Sequence, residues 1–318
     1  MSSDTLISVK NLSRYYGNFC AVNNISFEVK RGQILGFLGP NGAGKTTTMQ
    51  MITGTLAPTA GQISLAGHDL LDYPIQAKTA IGYLPEQPPV YKEMRVDEYL
   101  QFCAKLHHIP SSAIAYAVNH TIEQCGLNAV VKRLIGNLSK GYQQRVGIAQ
   151  AIIHTPQVVI LDEPTIGLDP IQIREIRALI RRLGKEHSVI LSTHILPEVQ
   201  AVCSHVQIIN RGQFILNDTI DGLLNQMQST HLQARFHNLP SIEKLEQIQY
   251  IESVEIFADN KVRIQHNIEN SPVETLVEQS VANNWRLYEL IPEQRTLEQV
   301  FVDLTNADED NLITRGIA

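Results

Sequence analysis

Residues 39–46 read Gly39-Pro40-Asn41-Gly42-Ala43-Gly44-Lys45-Thr46, a complete G-x-x-x-x-G-K-[ST] loop between an apolar segment, Ile34–Leu38, and a helix-compatible run from Lys45 to Ile52. No other stretch restricts the fold as tightly. A strand has to deliver the chain to the loop and a helix has to carry it away. Only then do the backbone N–H groups converge on one point in front of a helix N-terminus. The glycines allow turns that side chains forbid. Such a loop cradles a polyphosphate. Lys45 is expected to reach its outer phosphates, and the Thr46 hydroxyl to take a position on a divalent cation. Thr47, next in the helix's first turn, is grouped with the loop as a binding residue.

A second segment, Val158-Val159-Ile160-Leu161-Asp162-Glu163, is an unbroken apolar run that ends in two acids. The run suits a central parallel strand covered on both faces. Asp162, at the strand's C-terminal end, can hold a divalent cation through its water shell. Glu163, one residue on, projects differently and can polarise an attacking water. Alone, the pattern fits equally a strand that ends in solvated acids; beside the phosphate loop the chemical reading prevails.

Between these segments lies Leu138-Ser139-Lys140-Gly141-Tyr142-Gln143-Gln144-Arg145, which resembles the signature of ABC-transporter ATPases. Tyr16, before Gly17, resembles the family's aromatic that stacks on adenine. Gly167-Leu168-Asp169-Pro170 resembles its D-loop, and His194 in Ser192-Thr193-His194 its switch histidine. The resemblance spans about residues 5 to 225. It implies an α/β fold: a P-loop ABC ATPase core with a mostly parallel central sheet, an antiparallel β subdomain and an α-helical subdomain. It implies ATP and Mg²⁺ as ligands, with Glu163 as general base and His194 as γ-phosphate sensor. It also implies a head-to-tail dimer, a homodimer by expectation. Each ATP then has Lys45, Thr46 and Asp162 on one side and Ser139 and Gly141 on the other, with Asp169 linking the two sites.

Two positions depart from the family pattern. Lys140 stands where the signature usually has glycine, although the Ser139 hydroxyl and the Gly141 backbone are kept. In Ile81-Gly82-Tyr83-Leu84-Pro85-Glu86-Gln87, Glu86 directly follows the proline, where the family places a glutamine that faces the metal and the attacking water. Glu86 is preferred for that role and Gln87 is the alternative. A Tyr-Leu-Pro-Glu stretch is similar to that of the gliding-motility and ABC-2 exporter ATPases, which implies export.

Within 318 residues no apolar run approaches the ~18–20 residues of a membrane span. Nor does the start, Met1-Ser2-Ser3-Asp4, read as a secretory leader. The expected partner is therefore a separately encoded transmembrane permease, with this chain held on the inner face of the membrane. Cys20, Cys103, Cys125 and Cys203 lack C-x-x-C spacing, which suits a reducing cytosol and offers no zinc site. The adjacent His107 and His108 read as solvated helix residues. Residues 231–318 hold seven Lys and Arg against fifteen Asp and Glu, a balance that disfavours nucleic acid. A soluble ABC ATPase acting on ribosomes or nucleic acid is the alternative. Against it stand a single ATPase unit and the absence of a heptad run.

Domain expectations are 1–225 for the ATPase, with about 89–155 as its helical subdomain, 226–306 for a small α+β domain, and 307–318 for a flexible tail. The amphipathic run Ile171–Leu183 places Arg174, Arg177, Arg181 and Arg182 on a solvated face. Farther on, Ser253–Phe257 and Lys261–Gln265 bracket Asp259-Asn260 as a hairpin. Ser271 reads as an N-cap with Pro272 at the first helical position, and Thr296–Leu304 as a short helix with Leu297, Val300, Phe301 and Leu304 on one face.

Overall fold

The computed structural model describes residues 4–257, 260–267 and 270–294. The chain divides after Ile220 into two compact units. In the first, β1 (Thr5–Tyr16) and β2 (Phe19–Lys30) form a long hairpin, followed by β3 (Ile34–Leu38) and α1 (Lys45–Ile52). Next come β4 (Ala60–Leu65), β5 (His68–Asp69), α2 (Pro74–Thr79) and β6 (Ile81–Leu84). Three helices, α3 (Val96–Leu106), α4 (Ser111–Cys125) and α5 (Lys140–Ile152), precede β7 (Val158–Asp162). The unit closes with α6 (Pro170–Leu183), β8 (Ser188–Thr193), α7 (Leu196–Val202), β9 (His205–Asn210) and β10 (Gln213–Thr219).

Two sheets result. A six-stranded sheet has the order β10-β9-β3-β8-β7-β6. All its neighbours run parallel except the β9–β10 hairpin. Every residue of β7 and β8 is buried, as strands covered on both faces must be. The second sheet, β2-β1-β4-β5, is antiparallel. In β2 the apolar Ile25, Phe27 and Val29 are buried and Ser26 and Glu28 exposed, the period-two pattern of a strand with one wet face.

Phe37 of β3 is fully buried, with its ring centroid 5.9 Å from Phe27 of β2 and 5.5 Å from Phe214 of β10. These rings join the sheets through one apolar cluster. A second cluster packs α3, α4 and α5 against β7 and β8. On β3, Gly36 lets α7 approach closely: a Cβ there would stand 2.5 Å from Val199 Cγ1.

The second unit holds β11 (Gln228–Phe236), α9 (Ile242–Glu246), β12 (Ile251–Phe257), β13 (Lys261–His266), α10 (Val273–Ala282) and β14 (Leu287–Gln294), after α8 (Ile220–Met227) at the division. Its antiparallel sheet runs β12-β13-β11-β14 around a core that includes Phe236, Ile264, Leu276 and Trp285. Pro272, rather than Ser271, takes the N-cap of α10, because its carbonyl accepts the first helical bond, from Leu276 N at 2.8 Å. The Thr296–Leu304 helix, Asp259 and the tail lie outside the described residues.

The arginines of α6 are also more engaged than their pattern suggests. Arg177 pairs with buried Glu198, Arg181 donates to Ala201 O at 2.9 Å and Arg182 to Gln124 O at 3.2 Å. His107 lies against His154, ring centroids 3.8 Å apart and nearly parallel, so it is not simply a solvated residue.

Phe37→Ala removes the ring shared by both sheets and should lower the unfolding free energy by about 3–5 kcal/mol. Denaturant titration followed by circular dichroism measures this; a loss below about 1 kcal/mol would contradict the placement of the core.

Candidate functional site

In the six-stranded sheet the register pairs Leu38 with Thr193 and Ser192 with Asp162. The C-terminal ends of β3, β8 and β7 are therefore level. The segments leaving these strands meet at one edge: the glycine loop after Leu38, Glu163 after Asp162 and His194 after Thr193. Two backbone bonds continue the ladder past the strands, Gly39 N to Thr193 O at 3.3 Å and Glu163 N to Ser192 O at 2.9 Å.

The loop closes onto α1 through Gly44, whose φ of +107° is left-handed and whose missing Cβ would meet Ala21 O at 2.6 Å. Lys45 is buried; its Nζ donates to Gly39 O at 2.8 Å and Pro40 O at 3.2 Å. The same Nζ lies 3.3 Å from Glu163 Oε1. On the other side, His194 Nδ1 lies 2.9 Å from Glu163 Oε2. Among the described residues its Nε2 has no hydrogen-bond partner. Glu163 itself has φ +48°, in the left-handed region that non-glycine residues enter at a cost. That turn separates it from Asp162, so adjacent acids project to different places.

Asp162 is fully buried, and neither of its carboxyl oxygens has a hydrogen-bond partner of good geometry. Burial pushes its pKa above the ordinary carboxylate value; the nearby Ser192 and Thr46 hydroxyls draw it down less, and the Glu163 and Glu86 charges push it up further. A buried, orphaned carboxyl next to a threonine hydroxyl is an oxygen donor set that suits a hard divalent cation. No group of three or more His, Cys, Asp or Glu forms a metal cage among the described residues.

A cleft of about 390 Å³ opens in front of the loop, lined by Asn41, Gly42, Gly44, Lys45, Thr46 and Thr47 together with Tyr16, Glu86 and Glu163. Glu86 lines it and Gln87 does not. Tyr16 has one ring face covered by the Arg14 guanidinium, 4.7 Å from its centroid. The cleft also includes Phe19, Ala21 and Ile166, which sequence reasoning missed. Phe19 was open to detection. The two-residue turn Gly17-Asn18 sets Tyr16 opposite Phe19 in the hairpin, and Phe19 is 63% exposed, unusual for such a ring.

Three expected residues stand away from this cleft. Ser139 is the N-cap of α5, its hydroxyl accepting from Tyr142 N at 3.4 Å. Gly141 is buried where a Cβ would sit 2.8 Å from the Gln172 side chain. Asp169 caps α6, its Oδ1 accepting from Ile171 N and Gln172 N at 2.9 Å each. The loop residues Gly39, Pro40 and Ala43 shape the turn from behind, where Gly39 O and Pro40 O hold Lys45.

Residues 22–166 match the family model described as ABC transporter. The uncharacterized ABC transporter ATP-binding protein YxlF of Bacillus subtilis is 38% identical over 70% of this chain and 74% of its own length. The bacitracin transport ATP-binding protein BcrA of Bacillus licheniformis is 34% identical over 94% of this chain and 97% of its own. Among solved structures, cbiO1 from Clostridium perfringens, part of the ABC transporter complex cbiONQ, aligns with a TM-score of 0.64 at 28% identity, covering 69% of this chain and 90% of that one.

Because burial raises the Asp162 pKa, the folded chain keeps that proton to a higher pH than the unfolded chain. Stability therefore falls as pH rises from the ordinary carboxylate value through the raised one. Asp162→Asn removes the burden. In buffer free of divalent metal, the variant should melt higher than the parent at pH 8, and the gain should vanish by pH 4. A variant that melts lower at pH 8 would contradict the orphaned carboxyl.

Proposed function

Because this chain belongs to the ABC transporter family, as an ATP-binding subunit whose ATPase activity drives transport, we propose that it turns over ATP at two composite sites shared with a second copy of itself. The observation that carries this reading is a divided set of groups. Glu163 contacts both Lys45 and His194 beyond the strand ends, whereas the helix N-terminus at Ser139 and Gly141 lies outside the cleft that Lys45 and Glu163 line. Head-to-tail pairing of two chains brings the α5 N-terminus of one to the cleft of the other, where its N–H groups and partial positive charge face the terminal phosphate.

Within the site, Tyr16 and Phe19 take the base and the glycine loop takes the phosphates. Glu163 accepts the proton of the attacking water, and Lys45 leaves it for the terminal phosphates. His194, bonded to Glu163 through Nδ1, presents Nε2 to the γ-phosphate. Thr46 and Asp162 would hold Mg²⁺, with Glu86 as a further candidate, and the ion would neutralise charge on the phosphates. Asp169 lies at the seam between the two sites. ATP binding favours the closed pair, and phosphate release reopens it, which supplies the difference in energy that moves an attached protein.

No described helix is long and apolar enough to cross a membrane. A permease encoded as a separate chain is the proposed membrane partner, placing this subunit at the membrane's inner face. The place of cbiO1 in a multi-chain transporter supports this arrangement. The relative named for bacitracin transport aligns over both units of this chain, which supports an exporter of small molecules as the assembly powered.

Glu163→Gln should keep ATP affinity, lower turnover by about 10²–10⁴-fold and accumulate an ATP-bound dimer in size-exclusion chromatography. Turnover near the parent's rate would remove Glu163 as the base. Ser139→Arg and Lys45→Ala should each be inactive alone, and their mixture partly active, since a mixed pair contains one intact site. If Ser139→Arg turns over ATP like the parent, the shared-site dimer is wrong.

A further inference from the structure

Glu198 is 1% exposed and has no place in the chemistry described so far. It sits in the first turn of α7, where the helix N-terminus favours an acid. Its Oε1 accepts the Thr165 hydroxyl at 2.6 Å, and its Oε2 accepts the Thr193 hydroxyl at 2.9 Å. Both threonines are buried. Arg177 of α6 supplies the nearby charge, 3.6 Å away. The Thr193 hydroxyl also accepts from Ile195 N at 3.2 Å, which closes the turn around His194.

The two threonines are not scattered. Thr165 follows Glu163 by two residues, and Thr193 directly precedes His194. One carboxylate therefore grips both chain segments whose next functional side chains bond each other. Glu163 needs such a grip, because its left-handed backbone persists only where surrounding contacts hold it. Ile166, which lines the cleft, lies beside Thr165 in the same loop.

We propose that Glu198 is a positioning residue that fixes the Glu163–His194 pair from behind through the hydroxyls of Thr165 and Thr193. The proposal rests on the reading of Glu163 as base and His194 as its partner. Glu198 does not line the cleft, so it acts on the geometry of turnover and not on nucleotide affinity. Small displacements of a catalytic group cost rate steeply, up to ~10²-fold per ångström.

The full chain is tested with Thr165→Val, Thr165→Ser and Glu198→Ala. Thr165→Val keeps the shape of the side chain and loses the hydroxyl. It should lower kcat by about tenfold or more while the ATP KM and equilibrium affinity stay within about twofold. Thr165→Ser keeps the hydroxyl and should restore kcat. Glu198→Ala should lower kcat to a similar degree, and the double variant with Thr165→Val should lose little more, because both remove one linkage. If Glu198→Ala does not fold, the Val and Ser pair decides alone. A parental kcat for Thr165→Val, equal losses for Val and Ser, or multiplicative losses in the double variant would overturn the proposal. Glu163→Gln separates the two failures. If it is inactive while Thr165→Val is normal, only the clamp falls; if it remains active, the assignment of the base falls first.

Discussion

The parallel register of β3, β8 and β7 is the constraint on which the rest of the first unit depends. Backbone hydrogen bonds set Leu38 opposite Thr193 and Ser192 opposite Asp162. Side chains on the loops then need no long reach to meet. A slip of one residue would exchange the two buried faces of β7 and β8 and part Glu163 from Lys45 and His194. Both faces of β7 and β8 lie in core, so it is the backbone ladder, not an apolar face, that holds this register.

At that edge the protein tolerates unfavourable local states. Asp162 is buried with its oxygens unpartnered, Glu163 has a left-handed backbone, and Lys45 is buried among loop carbonyls. Two of the three have compensating neighbours. Lys45 and Glu163 pair with each other, and the loop carrying Glu163 is tied by Glu198, itself offset by two hydroxyls and Arg177. Asp162 alone lacks a protein partner of good geometry. Strain and desolvation are thus concentrated at this edge, away from the ring contacts of Phe37 with Phe27 and Phe214.

The second unit obeys different rules. Its sheet has one apolar face under α9 and α10, and its other face carries pairs such as Arg235–Glu289 and Arg263–Glu293. Alternation in β11 and β13 is enough to specify this, as in any antiparallel sheet with one wet side. None of the residues read as nucleotide-binding falls within it.

Local pattern alone determined the loop at Gly39–Thr46, the strand ending in Asp162-Glu163, the helix capped by Ser139 and most element boundaries to within a few residues. Each depends on near neighbours in sequence: glycine freedom, apolar periodicity, a capping hydroxyl. Membership of the ABC transporter family was legible in the same ordered motifs. Tertiary structure decided what depends on distant segments meeting. It selected Glu86 over Gln87 as the residue lining the cleft, brought Phe19 and Ile166 into it, and turned Arg177 from a solvated face to a buried carboxylate. It also joined Thr165, Thr193 and Glu198, which carry no motif of their own. Hydrogen bonds between residues about thirty apart leave no periodic trace in a sequence; they exist only once the sheet has placed its strand ends side by side.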